Sequence, residues 1–200
     1  MTERLASTQR GGVTATTAML AAPAARSPSA SALAERFDAL FEDELDYVCR
    51  SLARLGVHAR DVEDVAQEVF IAVHRSLPTA DLSRPARPWL FSFAYKTALN
   101  YKRLARHRHE RADDDRDLRS DATPEQDASA GETRVLVLRA LETIPLERRA
   151  VLIMCELDGF TAPEVAAELS IPVNTVYSRL RIARGELIIA LRALTAGVSP

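Results

Sequence analysis

The chain has 200 residues, 47% hydrophobic and 27% charged, with 26 Lys and Arg against 28 Asp and Glu for a net charge of −2. This is too apolar for disorder throughout and suits one large or two small domains. No stretch approaches the roughly 18 uncharged apolar residues of a membrane span, which predicts a soluble chain. Two cysteines, Cys49 and Cys155, support neither a disulfide framework nor a Cys/His zinc site and fit a reducing compartment. The charge is segregated, at +2 over residues 1–32, +1 over 33–111, −6 over 112–133 and +1 over 134–200.

Residues 1–30 are mostly Ala, Ser, Thr, Pro and Gly and read as a disordered N-terminal arm. A secretory leader competes, with Arg4 and Arg10 ahead of a mildly apolar stretch, but Gly11, Gly12 and the threonines spoil its centre. From Leu33 the apolar residues Phe37, Leu40, Phe41, Leu45, Val48, Leu52 and Leu55 recur at threes and fours, one face of an amphipathic helix that Gly56 closes. A second helix starts near Ala59 with Val62, Val65, Ala66, Val69 and Val73 inward, and stops before Pro78. Its outer face carries Asp61, Asp64, Gln67, Glu68, Ile71 and Arg75. Acids at a helix start favour the macrodipole without any function. A large apolar residue centred among polar ones is better explained as a protein-binding patch. No companion His, Ser or Gly-rich loop supports catalysis by these carboxylates.

After a proline-rich loop over residues 78–88, a third helix runs from about Pro88 to Glu110 with Leu90, Ala94, Thr97, Ala98, Tyr101 and Ala105 inward. Residues 84–111 hold eight Lys or Arg against the single acid Glu110. Tyr95, Lys96, Leu99, Lys102, Arg103 and Arg106 share the outer arc, with Trp89 and Asn100 at its edge. Cations interleaved with aromatic rings suit a nucleic-acid strand, because cations neutralise phosphates and rings give unstacked bases a surface. Trp89 as a plain core anchor is the competing assignment. His107 and His109 diverge by about 200° on a helix and make no metal site.

Residues 112–131 are acidic and read as a flexible linker. Helical periodicity then resumes at Val135, with interruptions near Pro145, Gly159 and Ser170–Pro172. The fold class is therefore all-α, two small helical domains over residues 31–111 and 132–196 joined by the acidic linker. Thr161-Ala-Pro-Glu164 has the form of a capping box, with Phe160 and Val165 placed as a hydrophobic staple. A short helix with Val165, Ala166 and Leu169 inward, a turn at Ser170-Ile-Pro172, and a helix with Val176, Leu180, Ala183 and Leu187 inward spell a helix-turn-helix. The outward arc of its second helix offers Asn174, Ser178 and Arg181, flanked by Thr175, Tyr177, Arg179 and Arg184, groups that hydrogen-bond base edges and phosphates. A merely solvated face is the alternative.

Six blocks in order resemble a known family: Asp61-Val-Glu-Asp-Val-Ala-Gln-Glu-Val-Phe70, Arg87-Pro-Trp-Leu90, Ala94-Tyr-Lys-Thr-Ala-Leu-Asn-Tyr101, Leu141-Glu-Thr-Ile-Pro-Leu-Glu-Arg-Arg-Ala-Val-Leu152, Leu157-Asp-Gly-Phe-Thr161 and Ile171-Pro-Val-Asn-Thr-Val-Tyr-Ser-Arg-Leu180. Over residues 33–194 the chain looks like an extracytoplasmic-function sigma factor of bacterial RNA polymerase. The resemblance implies a cytoplasmic, non-enzymatic subunit without cofactor or metal, its partners being core polymerase, promoter DNA and, in some relatives, an anti-sigma factor. Asp61, Asp64, Gln67, Glu68 and Ile71 would meet the polymerase clamp coiled coil, and the second domain would lie at the flap. Trp89, Tyr95, Lys96, Asn100, Lys102, Arg103 and Arg106 would open and hold the −10 element. Asn174, Thr175, Tyr177, Ser178, Arg179, Arg181 and Arg184 would read the −35 element. Four positions depart from the family pattern: Tyr177 and Ile182 stand where relatives often carry basic residues, Lys96 replaces a usual asparagine, and Ser170 occupies a turn position usually held by glycine. An autonomous helix-turn-helix regulator is the alternative function, although no long heptad seam is present for dimerisation.

Overall fold

A computed structural model describes residues 30–81, 85–111 and 128–196, with no side-chain description for residues 30, 107–111 and 128–130. The N-terminal arm, most of the acidic linker and the side chains of His107 and His109 lie outside the described residues. Seven α-helices are described: α1 (Ala30–Leu55), α2 (Val62–Ser76), α3 (Ala86–Arg111), α4 (Ala128–Glu142), α5 (Leu146–Leu152), α6 (Ala162–Leu169) and α7 (Val173–Ala196). No strand occurs among the described residues. The boundary expected at residue 132 moves, because α4 begins at Ala128 and takes the last residues assigned to the linker.

The first domain is a three-helix bundle. Val48, Leu52 and Leu55 of α1 are fully buried, as the helical period requires, and Gly56 ends the helix at φ +85°, a conformation that favours glycine. A single 3-10 turn (Ala59–Asp61) leads into α2, which buries Val65, Ala66, Val69, Phe70 and Val73. Phe41 meets Phe70 edge-on at 4.8 Å between ring centres, joining α1 to α2. α3 starts two residues earlier than its sequence signal, with Pro88 in the first turn, where its missing N–H leaves no intrahelical bond unmade. Leu90, Phe91, Ala94 and Ala98 form its inner face.

The second domain packs α4, α5, α6 and α7 around Leu141, Ile144, Val165, Val176, Leu180 and Ala183. Ala150, Val151, Leu152, Ile153 and Met154 are all buried in succession, because this segment is covered by α7 and also by α1. The helix relaxes into a π-turn over Ile153–Leu157, and Asp158 and Phe160 return their N–H groups to Ile153 and Met154. The capping box at Thr161 and Glu164 is present. Ser170 stands at φ 53°, ψ 46°, the left-handed conformation that ends α6, while the Ile171 N–H donates to the Ala166 carbonyl.

The two domains are not held apart. Their buried residues form one continuous apolar cluster, α1 packs on α4 and α5, and α3 packs on α6. At the seam lies Arg149, 2% exposed. Its guanidinium donates to the carbonyls of Glu142 and Ile144 in its own domain and to the Leu55 carbonyl of the other, at 2.6 to 3.2 Å. Gly56 makes room for it, since a Cβ there would stand 2.5 Å from Arg149 Nη1 and 2.7 Å from Lys102 Nζ.

Ser170 carries a removable strain. A non-glycine residue in the left-handed region costs about 1–2 kcal/mol, partly offset by the larger unfolded-state freedom of glycine. Ser170→Gly is expected to stabilise the protein by about 0.5–1 kcal/mol, read as a higher midpoint in thermal denaturation. An unchanged or lower midpoint contradicts the strain.

Candidate nucleic-acid and polymerase interfaces

Three faces carry the chemistry. On α2, Asp64, Gln67 and Glu68 are exposed, and Ile71 is 52% exposed among them, next to a shallow groove lined by Phe37, Phe41, Phe70 and His74. Asp61, just before α2, is less open than these. It is half-buried and accepts a 2.5 Å hydrogen bond from the Tyr101 hydroxyl, which ties the start of α2 to α3. Burial and this carboxylate push the Tyr101 phenol up to about 12. Asp61 thus braces α2 against α3 while about a third of its side chain stays exposed.

On α3, Lys96, Asn100, Arg103 and Arg106 are exposed as the helical wheel requires. Trp89 is half-buried, its ring edge-on to Phe93 at 5.1 Å, and Lys96 Nζ sits 5.6 Å from the Phe93 ring centre. Trp89, Phe93 and Lys96 therefore line one flank of the helix as two rings and a cation. Phe93 was missed by the sequence reading, although its spacing of four from Trp89 and three from Lys96 was available.

Tyr95 and Lys102 differ from their expected open positions on the outer arc. Both are half-buried, because α3 lies against the second domain. Burial raises the Tyr95 phenol, helped by Glu147 and opposed by Arg179, so this side chain stands within electrostatic reach of the helix-turn-helix. Burial, Arg149 and Arg106 lower the Lys102 ammonium to about 8, against the opposing pull of Glu142.

On α7, Asn174, Tyr177, Ser178 and Arg181 are exposed at the start of the helix, while Thr175 and Arg179 are half-buried. Ser178 donates to the Thr175 carbonyl at 3.0 Å. Arg184 hydrogen-bonds Glu156 through Nε and Nη2, an exposed pair that is weak in water and readily exchanged for a phosphate. Tyr177 and Ile182, the departures from the family pattern, are 58% and 41% exposed.

Sequence reading also missed the polar contacts across the seam. Asp158 accepts from the Tyr47 hydroxyl at 2.8 Å and from Arg54 at 3.0 Å, with only 6% of its side chain exposed. Burial raises the Asp158 carboxyl, and the hydrogen bond from Tyr47 and the charge of Arg54 hold it down. Arg87, paired with Glu44 at 2.8 Å, lies over the Tyr47 ring at 5.3 Å. One signal was available, since Arg149 falls on the same helical face as Leu146, Leu152 and Ile153. Among the described residues no group of three or more His, Cys, Asp or Glu is placed to hold a metal, and no helix is long and apolar enough to cross a membrane.

Residues 40–108 match Sigma-70 region 2 and residues 134–187 match Sigma-70, region 4. The ECF RNA polymerase sigma factor SigL of Mycobacterium tuberculosis is 31% identical over 84% of this chain and 96% of its own length. The ECF RNA polymerase sigma-E factor of Escherichia coli is 33% identical over 67% of this chain and 75% of its own. Among solved structures, the sigma factor RpoE bound to the anti-sigma factor NepR from Bartonella quintana superposes with a TM-score of 0.64 at 18% identity, covering 79% of this chain and 98% of that one. CnrH in complex with the cytosolic domain of CnrY gives 0.56 at 25% identity, covering 83% and 91%. With both sigma regions in order on an all-helical chain, the protein belongs to the extracytoplasmic-function sigma factors, non-enzymatic subunits that bind core RNA polymerase and direct promoter-specific transcription initiation.

Proposed function

We propose a division of labour among the three faces. Asp64, Gln67, Glu68 and Ile71 grip the clamp coiled coil of core polymerase, with Asp61 bracing α2 behind them. The single observation that carries this is Ile71, a large apolar side chain left 52% exposed within a ring of acids and an amide. Trp89, Lys96, Asn100, Arg103 and Arg106, joined by Tyr95 and Lys102 when α3 is uncovered, capture the −10 element. The cations bind phosphate, and the Trp89–Phe93 edge receives unstacked bases, stacking contributing on the order of 1–3 kcal/mol per base. The start of α7 enters the major groove at the −35 element, where Asn174, Ser178 and Arg181 supply amide, hydroxyl and guanidinium groups and Thr175, Tyr177, Arg179 and Arg184 flank them. The second domain rests at the polymerase flap. RpoE in the first superposed structure is in complex with the anti-sigma factor NepR, and CnrH in the second is in complex with the cytosolic domain of CnrY, which supports an anti-sigma factor as a third partner. The polymerase partner supports a cytoplasmic location.

Free protein is expected to give negligible retention of promoter DNA in a gel shift and clear retention once core polymerase is added. Tight binding by the free chain argues for an autonomous regulator instead. Glu68→Lys or Asp64→Arg is expected to abolish co-purification with core polymerase while helical content by circular dichroism stays unchanged, because both groups face solvent. Survival of co-purification in both variants removes the clamp assignment. Arg181→Ala is expected to weaken promoter use by about 10-fold or more, as for loss of one base or phosphate contact of about 1–3 kcal/mol, with polymerase association intact. Reduced association in that variant counts against the separation of roles.

A further inference from the structure

Between α1 and α4 lies a recess that none of the three faces uses. It measures about 420 Å³, within the roughly 300–1,000 Å³ typical of small-molecule sites. Arg50 and Arg54, one turn apart on α1, stand on one side. Arg134, Val137 and Leu138 of α4 stand on the other, and Leu157, 45% exposed, closes one end. Among the described residues none that lines the recess is acidic.

The three cations are held differently. Arg54 donates through Nη1 to Asp158 at 3.0 Å, which fixes its guanidinium and leaves other N–H donors of the fork for a ligand. Arg50 and Arg134 are exposed, and among the described residues neither is in an ion pair. Three guanidiniums thus share one carboxylate, a local excess of positive charge in a chain whose net charge is −2. A solvated basic face has no use for a wall of valine and leucine, which gains nothing from contact with water. Cations beside apolar walls in a recess suit a ligand with the same two halves.

The count of cations narrows the anion. Guanidinium forks match the paired oxygens of carboxylates and phosphates. A single carboxylate has two oxygens, too few for three forks, whereas two linked phosphates present enough acceptors for all of them. The apolar side then receives the organic part of the molecule. We infer that the recess between α1 and α4 binds a nucleoside diphosphate, its phosphates held by Arg50, Arg54 and Arg134 and its organic part set against Val137, Leu138 and Leu157. None of these six residues belongs to a face assigned to polymerase or promoter, so the site can be altered without touching either.

Isothermal titration calorimetry of the full chain with ADP, pyrophosphate and adenosine tests the site. ADP is expected to bind one-to-one, pyrophosphate more weakly, and adenosine without detectable heat. Arg50→Ala and Arg134→Ala are each expected to weaken ADP about tenfold or more, as for loss of one charge-assisted contact. Leu157→Ser is expected to weaken ADP about threefold and to leave pyrophosphate unchanged. All three side chains are exposed, so helical content by circular dichroism stays as in the unaltered protein. The basic face of α3 also attracts phosphate, and Arg103→Ala separates the two places. ADP binding that survives both arginine changes in the recess and falls with Arg103→Ala puts the anion on α3 and overturns the inference. No binding of ADP by the unaltered chain overturns it as well. Pyrophosphate bound as tightly as ADP, or ADP affinity untouched by Leu157→Ser, overturns the apolar half of the site.

Discussion

The arrangement of the molecule depends on the side chain of Arg149. A guanidinium has five N–H donors in a rigid fork, and withdrawing it from water is tolerable only when those donors find acceptors. Here the acceptors are main-chain carbonyls at the end of α4, in the turn before α5, and at the end of α1. Those of Glu142 and Leu55 are orphan carbonyls that helix ends leave without intrahelical partners, so one buried cation satisfies helix ends from both domains. The same carbonyls are the negative ends of helix dipoles, which favours a cation there. The environment still disfavours charge, and burial lowers Arg149 to about 10. Gly56 is part of the arrangement, because any side chain at that position would meet the guanidinium.

Charge is distributed along the first domain with a consistent logic. α1 and α2 are acidic, α3 is basic, and the acids of α2 face away from the bundle while Lys96, Arg103 and Arg106 of α3 face away on another side. One small domain thereby presents a negative surface suited to a protein partner and a positive surface suited to phosphate, with an apolar core between them. Where opposite charges do meet, as in Arg87 with Glu44, the pair also braces a neighbour, here the Tyr47 ring. Tyr101 on Asp61 does the same for α2 and α3. Such ties lock the angle between helices whose outer faces perform different tasks.

The second domain shows how local rules and tertiary demands divide the chain. The capping box at Thr161 and Glu164 satisfies early N–H groups of α6, and Ser170 closes the helix in a left-handed turn. Both features are local; the capping box was legible from side-chain chemistry at fixed spacing, whereas the Ser170 position came from the family resemblance. The placement of α5 was not legible in the same way. Its run from Ala150 to Met154 has no polar face because it is covered on more than one side, and a helix without a polar face gives periodicity nothing to report.

The order of helices, their inner stripes, the helix-turn-helix and the exposed positions of Asp64, Glu68, Ile71, Lys96 and Arg181 followed from the sequence, because an amphipathic helix writes its own orientation into a period of 3.6 residues. The positions that departed from that reading, Asp61, Tyr95 and Lys102, sit where one helix meets another, and there the wheel of a single helix is blind. The contacts of Asp158 with Tyr47 and Arg54 join residues more than a hundred positions apart. Tertiary structure alone decided that the two domains close on each other. The reason is that a hydrogen bond between distant residues leaves no periodic trace in the chain, and its partners become visible only when packing brings them together.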